Sequence, residues 1–176
     1  MTLQGLEFIA NGQPKGEPRA RSSHGRHGFR VHRDRMADPW KTAVRRAVLD
    51  RLGLVLPPQK PVFDPSARLA VVAVFRMPRP LAHHVARDRR RRLRDDAPRW
   101  VGAKPDVDNL LKAVLDALGP WPAGSRSILW ADDQQVAAVE ASKEYATPER
   151  PPGVGVAVRV LEEHSAGEPF QEKERA

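Results

Sequence analysis

The sequence predicts an α+β fold: a small single domain built from about four strands and two main helices. Segments of strand-like and of helical periodicity follow one another along a single chain of 176 residues, the length of one ordinary domain. The apolar fraction of 40% is modest but concentrated in those segments, which favours a compact core with exposed basic loops over general disorder. The chain has no Cys, so a disulfide framework, a thiolate metal site and a cysteine nucleophile are all excluded.

Leu3 to Ala10 is apolar enough for a first strand and runs into the turn signal Asn11-Gly12. Lys15 to Arg35 carries seven basic residues among Gly, Pro and Ser and reads as an exposed basic loop or irregular hairpin. At Asp38-Pro39 a helix opens, with Asp able to cap the free amides and Pro tolerated in the first turn. Trp40, Ala43, Val44, Ala47, Val48 and Leu52 recur at helical spacing, and Gly53 stops the helix. Lys41, Arg45 and Arg46 fall on the other side, where a solvated face is the preferred reading over DNA contact.

A Pro-rich connection from Leu54 to Pro65 leads to Arg68–Met77, a nearly continuous β-branched run typical of a buried strand. Arg79 to Arg99 holds eight Arg against three Asp, a charge block that resists packing and is expected to lie in a mobile loop. Asp106 to Leu118 is the second helix, with Leu110, Leu111, Val114, Leu115 and Leu118 inward and Asn109, Lys112 and Asp116 outward. Strands follow at Gln135–Tyr145 and at Val154–Val160, the latter alternating Val with Gly, Ala and Arg. From Glu162 the chain is polar, with five Glu, and reads as a disordered tail after a domain spanning 1–161.

Lys and Arg total 30 against 22 Asp and Glu, a net charge of +8, and Arg outnumbers Lys 23 to 7. A planar guanidinium fork suits phosphate oxygens, so the balance fits a nucleic-acid partner, although base composition of the genome produces the same bias. No stretch approaches the ~20 apolar residues of a membrane span, and the start lacks a signal-peptide pattern, so a cytoplasmic protein without membrane attachment is expected.

The chemistry concentrates in KPDVDNLLKAVLDAL, residues 104–118, and ADDQQV, residues 131–136. Asp106 and Asp108 lie two apart at a helix start, where an extended approach would point both carboxylates the same way. Lys112 is one turn beyond Asp108, and Asp132 and Asp133 add carboxylates from a separate element. Converging carboxylates without His or Cys suit a hard cation, Mg²⁺ or Mn²⁺, rather than Zn²⁺. A neighbouring lysine suits phosphoryl transfer, where it stabilises charge developing in the transition state. A structural explanation competes with this one: Asp108 capping the helix and pairing with Lys112, and Asp132-Asp133 forming a polar turn. Capping accounts for one Asp but not two, and the residues alone leave the two explanations balanced.

The pattern P-D-V-D-N-L-x-K-A-x-L-D-A-L followed by W-x-D-D-x-Q-V resembles the RusA family of Holliday junction resolvases of bacteria, phages and prophages. Gly12, Pro14, Pro18, Arg19 and Arg21 match a further segment of that family, and the resemblance extends from about Leu6 to Val160. It implies a small α+β domain with a mixed sheet, a homodimer, and paired symmetric nicking of four-way DNA junctions in recombination and repair with Mg²⁺, for which Mn²⁺ can substitute. Asp106, Asp108 and Asp133 match its metal-binding acids and Lys112 its essential lysine; Asp132 is the less certain acid of its pair. Lys15, Arg19 and Arg21 become the leading DNA-contact candidates, with Arg89 to Arg92 behind them. Two segments look longer than the family's, 79–99 and 119–131, which keeps open a broader branched-DNA nuclease as an alternative. A non-catalytic DNA-binding protein is the remaining one.

Overall fold

In a computed structural model of the protein, the structure describes residues 3–17, 21–25, 28–32, 36–85, 92–122 and 124–162. Its elements in chain order are β1 (Gly5–Asn11), β2 (Arg21–Gly25), β3 (Gly28–His32), α1 (Asp38–Leu52), β4 (Leu69–Met77), α2 (Val107–Leu118), β5 (Val136–Tyr145) and β6 (Gly153–Val160). Four strands form a mixed sheet in the order β1-β6-β4-β5, in which only β4 and β5 run parallel. Parallel neighbours cannot be joined by a tight turn, and α2 lies in the crossover between them. The expected α+β domain with a mixed four-stranded sheet and two helices is therefore what the chain forms.

Alternation along the strands decides which face is covered. Leu6, Phe8 and Ala10 of β1, Val71, Ala73 and Phe75 of β4, and Val154, Val156 and Val158 of β6 are buried in one cluster with Trp40, Val44 and Val48 of α1 and Leu110, Val114 and Leu118 of α2. Their alternates Ile9, Val72, Val74, Gly155 and Ala157 line a shallow groove of about 600 Å³ on the other face. β2 and β3 pair as an antiparallel hairpin in a sheet of their own, within the basic stretch where a loop or hairpin is expected. The Arg-rich segment after β4 also turns back on itself: Val85 N–H donates to the Arg92 carbonyl (2.9 Å) and Arg94 N–H to the His83 carbonyl (3.0 Å). Arg89, Arg90 and Arg91 lie outside the described residues, as do Arg19 and the tail beyond Glu162.

Two expectations about α1 are corrected. Its N-cap is Ala37, with no side-chain capping bond, so Asp38 begins the helix rather than capping it. Gly53 does end it, in the left-handed conformation (φ 69°), with its N–H reaching back to the last turn. More consequential, Lys41 and Arg45 are not on a solvated face. Lys41 is fully buried and Arg45 is 9% exposed. Arg45 donates to the carbonyls of Ala117 (2.8 Å), Gly119 (3.1 Å) and Arg126 (3.0 Å), which binds α1 to the C-terminal end of α2. Desolvation pulls this guanidinium below the ordinary arginine value. A helical pattern counts both residues as polar and cannot distinguish water from the carboxylates that Lys41 meets or the carbonyls that Arg45 meets.

Arg45→Met should lower the unfolding free energy by about 3 kcal/mol, because it leaves buried carbonyls without a donor. Arg46→Ala, which removes an exposed i,i+4 pair with Asp50, should cost about 0.5 kcal/mol or less. Urea denaturation of the two variants checks the contrast, and equal midpoints would contradict it.

Candidate metal and nucleic-acid site

The loop leading into α2 is held by a lysine that spacing did not single out. Lys143 of β5 donates from Nζ to the carbonyls of Ala103 (2.7 Å) and Pro105 (2.9 Å), fixing the backbone just before Asp106. Asp106 is the N-cap residue of α2, extended at φ −70°, ψ 149°, yet its side chain makes no capping bond. Asp108 lies in the first helical turn, so only Asp106 keeps the extended conformation expected for both. Both carboxylates are exposed, as is Lys112 one turn further on. Among the described residues none of the three has an ion-pair partner, and Lys112 does not pair with Asp108. The structural explanation for these residues, a cap plus an i,i+4 salt bridge, is thus not what the chain adopts. The positive end of the helix macrodipole favours the two negative charges where they stand.

Asp132 and Asp133 have a different setting. Asp132 Oδ1 accepts from the Gln134 amide (2.8 Å) and caps a short 3₁₀ turn, Asp133–Gln135. Asp133 Oδ1 accepts from the indole Nε1 of Trp130 (2.9 Å), a side chain with no exposure, so a core residue aims the carboxylate. The motif's Gln135 has a clear role: it is 4% exposed, its Oε1 accepts from the Ala131 amide (2.8 Å) and its Nε2 donates to the Asp64 carbonyl (2.8 Å). Gly119 leaves room for this arrangement. A Cβ there would sit 3.1 Å from the Trp130 indole nitrogen and 3.2 Å from Asp133 Oδ1.

That last contact locates Asp133 beside the residue that follows α2, whereas Asp106 precedes it. Twelve helical residues span about 18 Å, and a Mg²⁺ ion binds oxygens at about 2.1 Å. Within one chain, Asp133 is brought together with Gly119 and Trp130, not with Asp106 and Asp108. Consistently, no group of three or more potential metal-ligating side chains occurs among the described residues.

Of the expected DNA-contact residues, Lys15 is half-buried and Arg21 begins β2. The segment that carries them reaches the first turn of α2: Glu17 N–H donates to the Asn109 carbonyl (2.9 Å), and Gly16 packs so closely that a Cβ would meet Asn109 and Pro105 at 3.1 Å. The segment at Gly16 and Glu17 and the acidic helix start are therefore neighbours, which the separation of Glu17 from Asn109 in sequence gave no means of foreseeing. Asn109 contributes its backbone to this contact.

Gln135→Leu should destabilise the fold by about 2 kcal/mol, about 1 kcal/mol for each of the hydrogen bonds it removes from the Ala131 amide and the Asp64 carbonyl. Gln134→Ala, at an exposed position, should change it by about 0.5 kcal/mol or less. Thermal denaturation reads the difference.

A family model described as endodeoxyribonuclease RusA matches residues 11–159, a span that contains both acidic motifs, the lysine, both helices and strands β2 to β6 as far as Arg159, but only Asn11 of β1. No curated protein matches the chain. No helix among the described residues is long and apolar enough to cross a membrane. The match covers most of the chain and joins carboxylates, lysine and basic hairpin in one hydrolytic family, and on that ground the chain belongs to the RusA family of endodeoxyribonucleases.

Proposed function

We propose that the protein is a cytoplasmic, Mg²⁺-dependent, homodimeric endonuclease that resolves four-way DNA junctions in recombination and repair by paired nicks, with Mn²⁺ able to replace Mg²⁺. The observation that carries the reading is the pair of exposed carboxylates at the start of α2, neither capping the helix nor paired with Lys112, in a chain of this family. All-oxygen donors of this kind fit a hard divalent cation. Asp106 and Asp108 would hold it together with Asp133; when bound, it neutralises charge on the scissile phosphate and makes a water a competent nucleophile. Lys112, one turn along the helix, supplies an ammonium for the charge that builds on phosphate oxygens. Trp130 holds Asp133 in one orientation through the indole N–H, and Lys15, Arg19 and Arg21 hold the DNA backbone.

Because α2 separates Asp133 from the other two acids, the reading requires Asp133 to come from a second copy. β5 offers a route. It is an edge strand, and the backbone of residues 99–101 covers only its end, through bonds from Val101 N–H to the Lys143 carbonyl and from Tyr145 N–H to the Arg99 carbonyl. Past the irregularity at Ala137, Val139 and Ala141 fall in the same alternation as Lys143 and Tyr145 and present their backbone groups on the open edge, and Val139 is 55% exposed. Antiparallel pairing of two copies about Val139 sets Gln135 opposite the partner's Lys143. The 3₁₀ turn that carries Asp133 then lies against the loop that enters the partner's α2. The twofold gives two such sites, as paired cuts need.

Wild-type protein should nick a labelled mobile four-way junction symmetrically in Mg²⁺ and act far more weakly on a Y-fork and linear duplex. Asp106→Asn, Asp108→Asn, Asp133→Asn and Lys112→Ala should each lose at least about 100-fold in nicking rate while melting as the wild type does. Equal rates for Asp108→Asn and wild type would refute the assignment. Mixing Asp108→Asn with Asp133→Asn subunits tests the shared site: half of the heterodimer's sites are then free of lesions, and single nicks should return. A mixture as inactive as its parents, with subunit exchange verified, would place all acids of a site in one subunit.

A further inference from the structure

We propose that Lys41, a residue outside the acidic motifs, is a positioning residue that sets the distance between the basic DNA-holding segment and the acids at the start of α2. The inference rests on the nuclease reading above and concerns how its two halves are coupled. Lys41 sits on α1, is fully buried, and places Nζ 2.5 Å from Glu17 Oε2 and 2.9 Å from Asp116 Oδ2. The Glu17 contact is an ion pair without hydrogen-bond alignment, while Asp116 accepts a true hydrogen bond. Trp121, in the link after α2, places its ring centroid 5.5 Å from the same ammonium.

Three segments thus converge on one buried charge. Glu17 belongs to the run that continues into the basic hairpin, and its own amide is bonded to Asn109 in the first turn of α2. Asp116 lies seven residues beyond Asn109, two turns along the same helical face. Lys112 stands between them on that face, four residues before Asp116 and able in principle to pair with it. With Lys41 engaging Asp116, the Lys112 ammonium is left for phosphate. A buried ammonium with two carboxylates is poor at adding stability, since its desolvation offsets most of the attraction, but breaking it releases whatever it holds in register. Here it holds the segment at Glu17, which precedes the hairpin in sequence, against the acid-bearing helix.

The prediction is a split between binding and turnover. Lys41→Met should bind a four-way junction in Ca²⁺ with a Kd within about threefold of wild type, because the basic residues remain, and nick it roughly 10- to 100-fold more slowly in single turnover, because a phosphate held about an ångström from its place reacts at about that disadvantage. Lys41→Met combined with Glu17→Gln and Asp116→Asn leaves no unpaired buried carboxylate; it should melt near wild type and show the same split. Hydrogen exchange of the Glu17 amide should quicken at least about tenfold in both variants, with α1 amides unchanged, and this readout needs no activity. If the triple variant nicks at the wild-type rate, if its whole defect lies in Kd, or if Glu17 exchange is unaltered, the positioning role is wrong. Failure of wild-type protein to nick any junction overturns the nuclease reading, and the exchange experiment still decides whether Lys41 holds the segment.

Discussion

The crossover helix α2 is the constraint around which the molecule is arranged. β4 and β5 are parallel neighbours, so the chain must leave the end of one and return to the start of the other, and a rigid twelve-residue helix covers the return. Its apolar residues close the core over the sheet. Its two ends then separate the residues that the proposed site needs. Asp106, Asp108 and Lys112 gather at the start, and Asp133 docks at the finish beside Gly119. A helix does not shorten to bring its ends together, so three acids of one chain cannot share an ion, and the proposed dimer follows from that length together with the open edge of β5.

The support given to this helix is polar to an unusual degree. α1 meets it through buried Lys41 and Arg45, which reach Asp116 and the carbonyls of Ala117 and Gly119, and Arg45 continues to Arg126 in the following link. Apolar contacts tolerate sliding, whereas charged donors aimed at particular carbonyls and carboxylates admit one register. The same economy is visible around the second acidic pair, where the Trp130 indole orients Asp133 and Gln135 fastens the turn to the chain near Asp64. Rigid support of this kind is what a site acting on a phosphate requires, since small displacements are costly in rate.

Much of this was legible in the residues. The four strands of the main sheet and both helices follow from periodicity to within one or two residues, because alternation and 3.6-residue spacing report directly on which neighbours a side chain faces, whereas β2 and β3 were foreseen only as a basic loop or irregular hairpin. The acids and the lysine of the proposed site were picked out by residue type alone, since carboxylates suit a hard cation and an ammonium suits phosphate whatever the fold. Asp38 was misassigned as a cap because Asp-Pro suits a helix start on grounds of propensity, and tertiary packing placed the first turn one residue earlier than that pattern implies. The Arg-rich block after β4 was read as a loop because hairpin stems formed by Val85 with Arg92 carry no periodic signal.

What the sequence by itself determined is the element order, the apolar faces, and an inventory of three carboxylates, a lysine and a basic hairpin. Only the tertiary structure decided that Lys41 and Arg45 turn inward, that Asp133 hangs from Trp130 at the far end of α2, and that Glu17 binds beside Asn109. The reason is physical: periodicity records a residue's relation to its own element, and a charged residue on the polar side of a helix looks the same whether water or a carboxylate 75 residues away accepts its hydrogen bond. Partners so distant in sequence meet only because sheet order and one helix length bring them together.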